Sequence, residues 1–112
     1  MTVIRADQLD QSADALASAA LALAHRFAAN ATLWCVAPGA EHHARHVAVE
    51  FVHPVVVGTR SLPAVAIGAA DPITTARTLV RSGDVVLAIG PEHHPVVADL
   101  TRRVETWGAT AI

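Results

Sequence analysis

Three apolar runs of four or five residues, TLWCV (32–36), AVAI (64–67) and VVLAI (85–89), constrain this chain more than any other feature. Each is long enough to cross a sheet once and too short for a typical helix. None alternates apolar with polar residues as a strand with one wet face does. Strands of this kind are buried on both faces, which requires a layer of helix on each side of a parallel sheet.

The segments between the runs supply those helices. From Asp7 to Asn30, Leu9, Ala13, Leu16, Ala20, Leu23 and Phe27 recur at spacings of three and four, which predicts a long amphipathic helix stopped at Asn30. Pro38-Gly39 ends the first strand, and a histidine-rich helix follows it. Gly58 to Pro63 is turn material before the second strand. Asp71-Pro72 opens another helix, with aspartate as cap and proline at the first helical position. Arg81-Ser82-Gly83-Asp84 closes that helix, and Pro95 to Trp107 predicts a fourth. Gly108 then leads into ATAI (109–112), a fourth strand. The alternation predicts one domain over 1–112: an α/β, flavodoxin-like, doubly wound parallel sheet of about four strands in the order 2-1-3-4, with a long N-terminal helix.

Composition narrows what such a domain does. Hydrophobic residues make up 53% of the chain and aromatic ones 4%, so the core is expected to be Val, Ala and Leu. A net charge of −2 leaves no basic footprint for nucleic acid. Asp7 and Asp10 stand where a signal peptide would be cationic and then apolar, and no apolar run reaches membrane-spanning length. The single Cys35 lies inside an apolar run, expected as core packing and consistent with a reducing compartment. These features predict a soluble, cytoplasmic protein with no membrane partner. Trp34 and Trp107 are expected to pack at the sheet edge or an interface.

Histidine is distributed unevenly. Four of the seven histidines fall between Ala37 and Pro54. His42, His46, Glu50 and His53 are spaced by four, four and three and share one helix face, with Ala44, Val47, Ala48 and Phe51 opposite. A local echo repeats the chemistry: VAPGAEHH (36–43) after the first strand and IGPEHHP (89–95) after the third. In the order 2-1-3-4 these two strands are neighbours at the topological switch, outside which open α/β sheets bind ligands. Glu41-His42-His43 and Glu92-His93-His94 would then line one crevice. Imidazole and carboxylate at i, i+4 suit zinc or another divalent transition metal. The expected ligands are His46 and Glu50, completed by one of His42, His43, His93 or His94. A solvated helix face accounts for the same stripe.

ARHVAVEF, SLPAVAI, GDVVLAI and WGATAI, in that order, resemble the SIS (sugar isomerase) domain, closest to the sedoheptulose 7-phosphate (phosphoheptose) isomerases. The resemblance spans roughly Ala31 to Ile112. It implies roles for the His-x-x-x-Glu pair His46 and Glu50: the glutamate as catalytic base, and both as metal ligands in metal-containing members. It implies a ligand site in the loops after the first and third strands, here Gly39 and Ala40, and Gly90, His93 and His94. The departures fall in those loops. Ala40 replaces the first-loop serine, and Gly90-Pro91-Glu92-His93-His94 replaces a hydroxyl-rich loop. Glu41 and Glu92 would repel a phosphate dianion by about 1 kcal/mol or more. The family's chain also continues with a strand and helix that carry further site residues, so the sequence reads as a C-terminally shortened SIS-like domain.

Two functions stay open at this point. One is a metal-dependent aldose–ketose (sugar phosphate) isomerase, with Glu50 shuttling the proton between C1 and C2. The other is a non-catalytic SIS-like module that binds a metal, a small ligand or a partner. The resemblance implies oligomers built through long helices. Independently, Ala15, Ala19, Ala22 and Ala29 suit close helix packing, which predicts a homo-oligomer or docking of the N-terminal helix on a larger protein.

Overall fold

The computed structural model describes residues 6–56, 58–91 and 93–112, with side chains from Asp10 onwards. Leu9 of the leucine stripe and Glu92 of the second echo therefore lie outside the side chains described. The chain runs α1 (Ala6–Ala28), β1 (Leu33–Val36), α2 (Glu41–Val52), β2 (Ala64–Ala66), α3 (Pro72–Leu79), β3 (Val85–Ala88), α4 (Pro95–Thr106) and β4 (Thr110–Ala111). All strand pairs are parallel, in the order β2-β1-β3-β4. This is the expected α/β architecture and strand order. Among the described residues no helix is long and apolar enough to cross a membrane.

The strands are buried on both sides because alternate residues feed two separate cores. Leu33, Cys35 and Val85 face Ala44 and Ala48 of α2, with Phe51 and, from α1, Leu23 and Phe27 packed around them. Val36 and Val86 face the opposite way, onto Ala76 of α3 and Leu100 and Val104 of α4. Two helices thus cover each face. Leu33, Ala44, Ala76, Leu100 and Val104 are fully buried.

Helix ends follow from local chemistry. Asn30 adopts φ +67, and its N–H donates to Phe27 O while that of Ala31 donates to Arg26 O, closing α1. Gly108 (φ +76) closes α4 in the same way, with its own N–H on Glu105 O and that of Ala109 on Val104 O. Asp71 caps α3, accepting from Thr74 N and Thr74 Oγ1.

The long helix departs from a simple core helix. Its 23 residues span about 34 Å, whereas the four residues of β1 span about 13 Å. The sheet can cover only part of it. Leu23 and Phe27 are packed, with the Phe27 and Phe51 rings 5.6 Å apart. Higher up the same stripe, Leu16 is 71% exposed, and Leu21 on a different face is 60% exposed. Of the alanines expected to face another helix, Ala19 and Ala22 are half-buried while Ala15 and Ala29 are exposed. Trp34 lies on a central strand and not at the sheet edge, its indole turned to Asp84.

Candidate functional site at the carboxyl ends of β1 and β3

The register Val36↔Ala88 brings the two echo loops out of the sheet side by side. Ile89 N donates to Val36 O at 2.8 Å, tying the start of one loop to the end of the other strand. After β1 the chain turns through Gly39 (φ +74), with Ala40 N on Ala37 O at 2.9 Å. Ala40 then sits at the N-cap of α2 and offers no side-chain acceptor. Its helix opens with Glu41, whose carboxylate complements the positive end of the helix dipole from within the chain. The loop after β2 approaches this point, since a Cβ on Gly68 would lie 3.9 Å from Glu41 Cγ.

After β3, Gly90 has φ +155, and a Cβ there would meet Val97 Cγ2 at 3.1 Å. Glycine is what lets this loop press on α4. His94 is the N-cap of α4: its Nδ1 accepts from Val96 N at 3.2 Å, ahead of Pro95. One face of this expected ligand residue is thus engaged in holding the helix start. His93 is exposed.

The histidine stripe on α2 faces solvent. His46 Nε2 lies 3.5 Å from Glu50 Oε1, with side chains 76% and 49% exposed. The rings of His42 and His43 sit 4.0 Å apart, tilted by 42°. His53 caps the end of the helix through its N–H to Val49 O. Among the described residues, no three of His, Cys, Asp and Glu come together around one point that could hold a metal ion. His46 and Glu50 therefore offer two donors, where a zinc site takes three or four.

Cavities open elsewhere. One of about 250 Å³ lies under the amino edge of the sheet against Arg26, Asn30, Arg81 and Asp84. Another of about 360 Å³ separates the C-terminal half of α1 from Arg60, Leu62 and Pro63. A third of about 360 Å³ flanks α1 on the side of Thr110. None of these three touches Gly39, Ala40, Gly90, His93 or His94.

Asp84, in the Arg81-Ser82-Gly83-Asp84 segment after α3, is a buried polar residue. It is 3% exposed and accepts from Thr32 N at 3.0 Å, Trp34 Nε1 at 3.0 Å and Arg81 N at 2.9 Å. Burial pushes its pKa up, but those three donors and the Arg81 charge outweigh burial and hold it below the usual range. It ties the start of β1 to the start of β3, at the edge away from the echo loops. Cys35 packs in the core, and burial pushes its thiol up to about 11, which leaves it unreactive.

The fold and this edge together define an open α/β protein of four parallel strands with its candidate ligand edge at the β1–β3 junction. No family model matches the chain, and no curated protein matches it.

Proposed function

We propose that this is an SIS-like, phosphoheptose-isomerase-related module that is non-catalytic, binds a small ligand at the β1–β3 edge and acts as a cytoplasmic homo-oligomer associating through α1. One observation carries the reading. The two loops at the switch point, 37–40 and 89–94, contain no hydroxyl side chain and are bordered by Glu41. A sugar phosphate would find backbone N–H groups at the start of α2, but a carboxylate already occupies the charge role a phosphate would fill. The exposure of His46 and Glu50 adds support, because a proton-shuttling carboxylate works best where water is excluded.

The 3.5 Å contact between His46 and Glu50 favours a second reading, a metal-dependent aldose–ketose isomerase. A turnover assay with sedoheptulose 7-phosphate, with and without added zinc, separates the two. The expected result is no product above the level of Glu50→Gln. Product formation that vanishes in Glu50→Gln would establish the second reading in place of the first. Thermal melts with zinc at pH 7.5 and 5.5 test the metal alone. A stabilisation at the higher pH that is absent in His46→Ala would show that the pair recruits zinc, since ligand imidazoles must be neutral.

A further inference from the structure

We propose that the cavity between the C-terminal half of α1 and the 60–63 segment is a second binding site, taking a small molecule that joins one flat apolar ring system to a single carboxylate. The cavity lies at the amino end of the sheet, since 60–63 runs directly into the start of β2. It shares no residue with the loops 37–40 and 89–94, so the proposal is independent of the ligand edge at β1 and β3.

The cavity measures about 360 Å³, within the range of about 300–1,000 Å³ usual for small-molecule sites. Its walls divide by chemistry. Phe27 and Leu62 are half-buried and, with Ala24, Ala28 and Pro63, make most of the lining apolar. Phe27 supplies aromatic surface against which a planar ring packs well. Arg60 and Asn30 supply the polar groups. Among the described residues no carboxylate lines the cavity, and Arg60 forms no ion pair within the chain. A guanidinium beside apolar walls selects an anion, and its planar fork matches a carboxylate. α1 ends at Ala28, beside the cavity. The partial negative charge of that helix end favours a monoanion over a phosphate dianion.

The walls are held in place before any ligand arrives. Leu62 N donates to Phe51 O at 3.0 Å, Ser61 Oγ to Val52 O at 2.6 Å, and Leu33 N to Pro63 O at 2.9 Å. These bonds anchor the 60–63 segment to α2 on one side and to β1 on the other. The opposite wall is set by Phe27, whose ring lies 5.6 Å from that of Phe51. A ligand entering between fixed walls loses little free energy in ordering them.

The test is a titration of the whole chain with naphthalene-1-acetate to about 5 mM, followed by backbone amide NMR and by thermal melts. The expected result is saturable binding that raises the melting temperature and shifts the amides of 24–30 and 60–62. The neutral naphthalene-1-acetamide should bind about fivefold more weakly, and Arg60→Gln should weaken the acid by the same factor while leaving the amide unchanged. Arg102→Gln, on α4 and away from the cavity, should bind the acid like wild type. Acetate alone should not saturate, because it lacks the apolar body. Ala24→Phe, at an exposed position in the cavity wall, should fill the space and abolish binding of both ring compounds with unchanged far-UV circular dichroism. Should Ala24→Phe fail to fold, the comparison of acid and amide on Arg60→Gln decides alone. Absence of saturation, or shifts confined to 37–40 and 89–94, overturns the site. Equal affinity for acid and amide, or indifference to Arg60→Gln, overturns the carboxylate assignment. An affinity that falls as protein concentration rises overturns the small-molecule occupant and puts a second copy of the chain in the cavity.

Discussion

Asp84 shows how one buried carboxylate serves as a joint. Its oxygens receive two backbone N–H groups and the Trp34 indole, so replacing it leaves donors facing no acceptor. Asparagine retains one oxygen but turns an amide N–H toward a donor. Asp84→Asn is expected to cost about 1–3 kcal/mol at pH 7, measured by urea denaturation. The pH dependence has a definite sign. The folded-state pKa is depressed, so the contribution is fully present above the unfolded aspartate value of about 3.9 and fades as pH falls through the folded value. The gap between wild type and Asp84→Asn should therefore narrow below about pH 4. The pair His46 and Glu50 makes the opposite case. Both side chains are largely solvated, so without metal His46→Ala should stay within about 0.5 kcal/mol of wild type in the same assay. The i, i+4 spacing made that pair legible in the sequence. Nothing local announced Asp84, whose partners at Thr32 and Trp34 lie 52 and 50 residues away.

Between elements, two turns are interlocked at the amino edge of the sheet. Gly83 N donates to Gly108 O at 2.9 Å, and a Cβ on Gly108 would meet Ser82 Oγ at 2.7 Å and Ser82 Cβ at 3.3 Å. Rotation of the serine relieves the first contact only. With φ at +76 as well, Gly108→Ala is expected to lose about 1–3 kcal/mol, readable as a lower melting temperature. At the other edge, His94→Ala removes the cap of α4 and should cost about 1 kcal/mol, whereas His94→Asn should retain most of the wild-type stability. The helix stop at Asn30 and the Asp71 cap were legible because these residues act on backbone groups within a few positions. The capping role of His94 is not legible in the sequence because histidine is not among the usual capping residues, and its Nδ1 contact with Val96 N depends on the angle at which the loop enters α4.

For the molecule as a whole, stability should be graded from the sheet centre outward. β1 lies between two partners and holds Leu33 and Cys35 at 0% exposure, so its amides should exchange with solvent most slowly, together with those of β3. The N-terminal half of α1 rests on little of its own domain, and its amides from 10 to 20 should exchange fast in dilute solution and slow as protein concentration rises. Hydrogen exchange at two concentrations checks this, and concentration-independent protection there would contradict it.

Periodicity and run length by themselves determined the α/β class and the parallel strands, since these follow from local pattern. Doubly wound sheets have two common strand orders, so it is the pairing of β1 with β3 in the order β2-β1-β3-β4 that puts both echo loops at one edge. The alanines of α1 mark where that ends. The sequence groups Ala15, Ala19, Ala22 and Ala29 as a packing face, yet in the structure Ala19 and Ala22 are half-buried, Ala15 and Ala29 are exposed, and the α1 side chains packed against the core are Leu23 and Phe27. Which side of an alanine-rich helix meets the domain depends on where Phe27 finds Phe51, 24 positions along the chain. The same distinction separates the pairing of His46 with Glu50, decided within one turn of helix, from the joint at Asp84, which exists only once β1 and β3 lie side by side.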